Sequence, residues 1–282
     1  MGIDLLAGTV YGTRAMIARP PRILVFDSGI GGLSVLREVR AAMPGAALVY
    51  AADDAGFPYG GWEEGALVAR IADIVDGLVA EHAPDGVVIA CNTASTLVLP
   101  VLRARLDVPV VGTVPAIKPA AERTRTGLVS VLATPGTVAR DYTRQLIAAH
   151  ARGVEVTLVG SRRLAAVAET RMRGGAVDPA EVAAEIRPCF VEHDGRRTDV
   201  VVLACTHYPF LTDLFQAVAP WPVAWIDPAA AIARRVRSVL VGEGEEAAGD
   251  AIPPADGLAV FTSGRAAEPA LARLLAAHGL HS

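Results

Sequence analysis

Short apolar runs that stop at small or turn-forming residues alternate with segments of helical spacing along most of this chain. Ile23 to Asp27 (ILVFD) is a continuous apolar run closed by Ser28-Gly29, the signature of a strand buried on both faces. Leu33 to Met43 has apolar residues at helical spacing and stops at Pro44-Gly45, and Ala47 to Asp53 reads as the next strand. The spacing predicts a helix over 63–82, a strand over Gly86 to Ala90, a short helix over 95–106 and a strand over Pro109 to Thr113. The pattern then restarts. It predicts strands at 128–134, 154–160, 199–204, 222–227 and 258–262, and helices at 138–150, 162–173, 179–191, 209–218, 229–241 and 268–278. A polar Gly/Pro-rich loop, GEGEEAAGDAIPPADG, precedes the last strand. Such alternation implies an α/β fold, because parallel strands need crossovers and the crossover helices cover both sheet faces.

Two of these strands echo each other. Asp85-Gly86-Val87-Val88-Ile89-Ala90-Cys91 and Asp199-Val200-Val201-Val202-Leu203-Ala204-Cys205 both read D-x-V-V-x-A-C. Each is followed by a hydrogen-bonding pair, Asn92-Thr93 or Thr206-His207. Val and Ala are common, so two ordinary buried strands are the competing reading. What sets the pair apart is that each cysteine ends its strand, and in open α/β sheets ligands bind outside the carboxyl ends of the strands. Two such halves facing each other place two thiols on opposite sides of one cleft. A racemase needs that arrangement: one group removes a proton from one face of a stereocentre, and another returns one to the opposite face. Cysteine suits both roles, because its ordinary pKa of about 8.5 is easily tuned by helix N-termini and charged neighbours.

Composition narrows the choice. The 282 residues are 52% hydrophobic and 20% charged, with a net charge of -4. That balance suits a globular domain or two and gives no electrostatic case for nucleic acid or a membrane surface. No apolar run approaches the ~20 residues of a membrane span. The start, MGIDLLAGTVYGTRAM, lacks the basic beginning of a signal peptide, and Met16 is an alternative start. Three cysteines without export signals point to a reducing cytoplasm, and their spacing suits neither disulfides nor a zinc site. Lys118 is the single lysine of the chain. It lies between Ile117 and Pro119 with no phosphate-binding loop near it, which argues against a pyridoxal Schiff base.

Phe26-Asp27-Ser28-Gly29-Ile30-Gly31-Gly32-Leu33, Phe57-Pro58-Tyr59-Gly60, Cys91-Asn92-Thr93-Ala94-Ser95, Val114-Pro115-Ala116 and Cys205-Thr206-His207-Tyr208-Pro209 occur in this order. In this combination, from about Ile23 to Arg235, the chain resembles the glutamate racemases of the aspartate/glutamate racemase family. The resemblance implies two similar parallel-sheet α/β domains related by pseudo-twofold symmetry, with the active site in the cleft between them. It divides the chain into an N-terminal extension (1–21), a first domain (22–116 plus 226–282) carrying Cys91 and a second (117–225) carrying Cys205. It implies racemisation of glutamate without cofactor or metal, supplying D-glutamate for peptidoglycan. Cys91 would take the proton from D-glutamate and Cys205 from L-glutamate. Asp27, Ser28, Tyr59, Gly60, Asn92, Thr93, Thr206 and His207 would hold the substrate. Asp27 and His207 would also serve the two thiols in catalysis, with Glu169 as the carboxylate near the histidine. A homodimer is expected. Relatives with an N-terminal extension respond to a peptidoglycan precursor, so an activator of that class is a candidate partner.

Bland roles compete with these. Asp27 or Ser28 suits a helix cap, Tyr59 a packing aromatic and Glu169 a solvated helix face. Cys189 has no motif around it and reads as an inert thiol. His82, His150, His193, His278 and His281 read as surface residues. The chain departs from the family at Asp53-Asp54-Ala55-Gly56, where an Asp-Thr-Ala-Arg-like stretch is common, and at Trp62, where many members have lysine. Racemisation of aspartate or another amino acid is the close alternative. A non-catalytic binding protein on the same fold is the distant one, disfavoured because it has no need of two thiols.

Overall fold

The structure is a computed structural model that describes residues 19–242 and 256–282. Most of the expected N-terminal extension and of the Gly/Pro-rich loop after Val241 lies outside the described residues. The strands are β1 (Arg22–Asp27), β2 (Ala47–Ala52), β3 (Gly86–Ile89), β4 (Val110–Gly112), β5 (Leu128–Ala133), β6 (Glu155–Gly160), β7 (Glu192–His193), β8 (Arg196–Arg197), β9 (Val200–Ala204), β10 (Ala224–Ile226), β11 (Gly257–Phe261) and β12 (Leu280–His281). The helices are α1 (Leu33–Ala42), α2 (Glu64–His82), α3 (Asn92–Arg105), α4 (Ile117–Arg123), α5 (Pro135–Ala139), α6 (Asp141–His150), α7 (Leu164–Met172), α8 (Pro179–Ile186), α9 (Thr212–Val218), α10 (Ala229–Leu240) and α11 (Pro269–Ala277).

Two parallel sheets form. One runs β12-β11-β2-β1-β3-β4 and the other β10-β9-β5-β6. The order β2-β1-β3-β4 in the first matches β6-β5-β9-β10 in the second. β1 therefore corresponds to β5, and the two D-x-V-V-x-A-C strands, β3 and β9, occupy equivalent places. The apolar runs are buried on both faces, as parallel sheets require. In β1, Ile23 and Val25 pack toward Leu36, Ile232 and Leu271, while Leu24 and Phe26 pack toward Ile71 and Leu102. In β9, Val201 and Leu203 face Leu164, Val182 and Phe215, while Val200 and Val202 face Ala120 and Leu146. α10 follows β10 of the second sheet yet packs on α1 of the first, with Arg237 Nη1 donating to Ala42 O at 3.0 Å. The chain thus crosses back before adding β11 and β12 to the first sheet.

Several elements differ from expectation for local reasons. The helix expected over 138–150 is two helices broken at Arg140, whose backbone is extended. The helix expected over 179–191 ends at Ile186 and closes in a 3-10 turn containing Pro188, which has no N–H to continue the ladder. Beyond it, β7 and β8 form a hairpin whose Asp194 and Gly195 have φ of 52° and 71°, the left-handed pair that two-residue hairpin turns favour. The helix after Cys91 begins at Asn92, earlier than the expected Ser95, whereas Cys205 is followed by a 3-10 turn (Tyr208–Leu211) before α9. Among the described residues no helix is long and apolar enough to cross a membrane.

Candidate active site

Four equivalent strand ends converge between the sheets. Asp27 ends β1, Cys91 lies two residues beyond β3, Thr134 directly follows β5 and Cys205 directly follows β9. The end of the first strand of each sheet meets a residue beyond the cysteine of the other. Thr206 Oγ1 donates to Asp27 Oδ1 at 3.1 Å, and Thr93 Oγ1 lies 2.8 Å from Thr134 Oγ1 and 3.4 Å from Thr137 Oγ1. Ser34 Oγ adds a bond to Thr206 O at 3.0 Å.

On one side stands Cys91, the N-cap of α3, buried with its Sγ 3.7 Å from Ser28 Oγ. Burial, and then the charge of Asp27, push this thiol up to about 12, against the pull of the Ala94 amide. Asp27 is itself wholly buried, and desolvation raises its pKa despite the nearby His207 charge and bonds from the Gly29 amide and Thr206. Asn92 is also buried, and its Oδ1 has no hydrogen-bond partner. An unpaired buried acceptor is costly and rare.

On the other side, His207 Nδ1 lies 3.8 Å from Cys205 Sγ, and its Nε2 lies 3.1 Å from Glu169 Oε1. Burial works against a charged imidazole, but the bonds to Cys205 and Glu169 outweigh it and raise His207 to about 10. Glu169 also accepts from the Ile30 amide at 2.7 Å and from Arg173 Nε at 3.1 Å. Burial opposes its charge, but His207 and these donors hold its carboxyl below the ordinary range. Glu169 is thus no solvated helix residue; it clasps the turn after β1 to the histidine of the other sheet.

The glycine-rich turn has a steric purpose. A Cβ on Gly31 would overlap the His207 ring, coming within 2.6 Å of its Cγ, and one on Gly29 would overlap Glu169 Oε1. Bare backbone at both positions lets the turn close on the His207–Glu169 pair. Helix capping does not explain Asp27 or Ser28. The N-cap of α1 is Gly32 without a side-chain bond, and Asp27 Oδ2 accepts from Gly29 N at 3.1 Å.

Tyr59 is buried, but its hydroxyl donates to Asp53 Oδ2 at 2.7 Å, and Gly60 beside it is exposed. Cys189 is fully buried in the core of the second sheet, its carbonyl accepting from Ser130 Oγ at 2.7 Å. Lys118 stands exposed on α4, 4.0 Å from Glu122. His150, His193 and His281 are exposed as expected, whereas His82 and His278 are half-buried, the latter bonded to Leu274 O at 2.9 Å. Among the described residues no group of three or more His, Cys, Asp or Glu is placed to hold a metal ion. Sequence reasoning missed Thr134, Thr137 and Asp53. The signal for the threonines was present: Thr134 follows β5 as Ser28 follows β1 within a repeat, and T-P-G-T opens the next helix.

Residues 33–236 match the Asp/Glu/hydantoin racemase family. The chain belongs to that family. It is 57% identical to the glutamate racemase of Brucella canis over 271 residues, 96% of each chain, and 60% identical to that of Brucella anthropi over 260 residues, 92% of each. Among solved structures, Escherichia coli glutamate racemase in complex with L-glutamate and the activator UDP-MurNAc-Ala superposes with a TM-score of 0.80 at 39% identity, covering 93% of this chain and 96% of that one. Thermus thermophilus glutamate racemase in complex with β-chloro-D-alanine superposes with a TM-score of 0.65 at 31% identity, covering 91% and 92%. The protein is an isomerase of the racemase type, built on the two-sheet fold of those enzymes.

Proposed function

We propose that this racemase interconverts L- and D-glutamate without a cofactor, with Cys91 and Cys205 as paired acid and base. One observation carries the reading. Two buried thiols stand at equivalent strand ends of two facing sheets, each with its own proton-handling neighbour, Asp27 or the His207–Glu169 pair. The glutamate racemases at 57% and 60% identity support glutamate as the substrate.

From L-glutamate, the Cys205 thiolate takes the α-proton. The C–H bond breaks, an S–H bond forms and the electron pair moves toward the α-carboxylate. Cys91 then gives its proton to the opposite face, leaving D-glutamate, a thiol at Cys205 and a thiolate at Cys91. The reverse direction uses the same groups in exchanged roles. The different neighbours of the two thiols suit this sequence. An imidazolium, held by Glu169, is the counter-ion that a thiolate beside it requires, and Cys91, pushed up to about 12, keeps its proton until a strong base forms opposite. The hydroxyls of Ser28 and Thr93 offer donors for the growing carboxylate charge, and that of Thr206 does so once it turns from Asp27. The orphaned Asn92 Oδ1 and the Asp27 carboxylate are acceptors for the substrate ammonium.

The same reading places the protein in the cytoplasm as a homodimer supplying D-glutamate for peptidoglycan, with Tyr59 and Gly60 among the residues that hold the substrate. It carries over responsiveness to a nucleotide-linked peptidoglycan precursor from the Escherichia coli protein. The test is polarimetry on purified protein with L- and D-glutamate, aspartate and alanine, with and without chelator and that precursor. Racemisation of glutamate in both directions, unaffected by chelator, is expected. Preference for aspartate, or dependence on an added metal, would overturn the reading.

A further inference from the structure

At the end of β2 lies a buried carboxylate that the proton chemistry does not use. Asp53 has no exposed surface. Its Oδ2 accepts from Tyr59 Oη at 2.7 Å and Arg70 Nε at 2.7 Å, and its Oδ1 from Arg70 Nη2 at 2.5 Å and Thr262 Oγ1 at 2.6 Å. Burial opposes its charge, but these donors, Arg70 foremost, hold it below the ordinary carboxylate range. They come from three separate segments: the Tyr59–Gly61 turn, helix α2 and the end of β11. The Asp53 amide also donates to Asp27 O at 2.9 Å, tying the cluster to a strand end of the active site.

The two departures from the family pattern fall within this cluster. A Cβ on Gly56 would lie 2.5 Å from Asp53 Oδ2 and 2.8 Å from Arg70 Nε, so bare backbone leaves room for the ion pair. Trp62 donates to Gly56 O at 2.9 Å, and the Arg70 guanidinium lies 5.5 Å from the centre of its ring. Tyr59, at the inner end of the turn, packs in the same apolar cluster as Cys91, and the turn rests against α5 of the other sheet. The turn itself contributes no backbone pairing to either sheet, so its position depends on what grips Tyr59.

We propose that Arg70 is a positioning residue for substrate binding: its two-pronged bond to Asp53 fixes the Tyr59–Gly60 turn against the cleft. Arg70 acts through Asp53 and Tyr59, and neither thiol touches it. A bidentate guanidinium defines the carboxylate plane, and hence the direction of the Tyr59 hydroxyl, in a way that a point charge does not. The inference rests on the racemase reading above.

The test compares the wild type with Arg70→Met, Arg70→Lys and Gly56→Ala by kcat and KM for both enantiomers, by thermal melting and by calorimetric Kd for glutamate. Arg70→Met should raise KM and Kd about tenfold for both enantiomers with kcat kept within about threefold, the pattern of lost uniform binding. Arg70→Lys should recover part of the loss. Gly56→Ala, which leaves both charges in place and crowds their contact, should reproduce the KM rise. KM and Kd unchanged in Arg70→Met and Gly56→Ala, with only a lower melting temperature, would overturn the inference. A wild type that binds glutamate without racemising it would sink the proposed function and leave the Kd comparison to decide the role of Arg70.

Discussion

Replacing Glu169 by glutamine keeps the shape of the side chain and removes one negative charge from beside His207. In the native site, Glu169 Oε1 lies 3.1 Å from His207 Nε2 and accepts the Ile30 amide at 2.7 Å. Glutamine can retain the amide bond through its carbonyl, so the clasp between the two sheets survives. What it loses is the charge that holds the imidazolium, together with the acceptor for Arg173 Nε on the half-exposed outer side. A hydrogen bond to a charged group contributes about 1.5–3 kcal/mol, and one pKa unit corresponds to about 1.4 kcal/mol. His207, raised to about 10 in the native enzyme, should therefore fall by about one to two units. In the proposed mechanism a protonated His207 is the counter-ion beside Cys205 when it takes the α-proton, so the basic limb of the pH profile for the L-to-D direction should move toward neutrality by the same amount. Stability follows the same sign. A histidine whose folded pKa lies above its ordinary value contributes stability that is present in full below about 6.5 and is lost as pH rises toward 10. Glu169→Gln should shrink that window, so wild-type and variant melting temperatures converge at high pH. Stopped-time polarimetry across pH 6 to about 10.5, with parallel thermal melts, reads both. A basic limb that does not move, in a variant that folds, would refute the assignment of Glu169 as the partner that keeps His207 charged.

Other outcomes follow from the packing. Gly31→Ala places a methyl within 2.6 Å of His207 Cγ and should cut kcat by about 100-fold or more through a displaced imidazole. Gly77, inside α2 with nothing within 4 Å of its would-be Cβ, is the opposite case: Gly77→Ala should raise stability by about 0.5–1 kcal/mol in a thermal melt and leave activity unchanged. Cys189→Ser puts a hydroxyl into an apolar core and should cost about 1–3 kcal/mol of stability, yet keep most of the specific activity of folded protein. A dead Cys189→Ser enzyme would mean that the third thiol takes part.

The elements legible in the sequence were those fixed by short-range signals. β1, β3, β5 and β9 are buried on both faces, so each reads as a mostly apolar run, broken in β5 only by the buried Ser130, and the repeated D-x-V-V-x-A-C marked two of them as equivalent before their places in the sheets were known. That Cys91 and Cys205 lie at the carboxyl ends of these strands, just beyond β3 and β9, followed from the same runs. Where the reading failed, two local signals competed or the contact was long-range. Arg140 splits a stretch with continuous helical spacing into α5 and α6, and nothing in that spacing records the break. The β7–β8 hairpin has a turn signal in Asp194-Gly195, but its arms are polar and show no alternation. Glu169 matched only a weak local motif, because its partners Ile30 and His207 lie on other segments. The reason for the glycines at 29 and 31 was equally hidden: it is the approach of a histidine from the other sheet, which no local pattern contains. Asp53 drew attention as part of a departure from the family pattern, and only the fold shows that Arg70 and Thr262 converge on it.

The central claim is that two thiols on opposite faces each handle their own proton. Turnover of L-glutamate in deuterium oxide tests it most directly, with the product and the recovered substrate separated by enantiomer and their α-positions analysed during the first turnovers. Cys91, already equilibrated with the solvent, delivers the new proton, so the D-glutamate formed should carry deuterium at the α-carbon while the remaining L-glutamate stays protiated. D-glutamate that retains the substrate's own α-proton would mean that a single group moves it from face to face, and would contradict the two-thiol account.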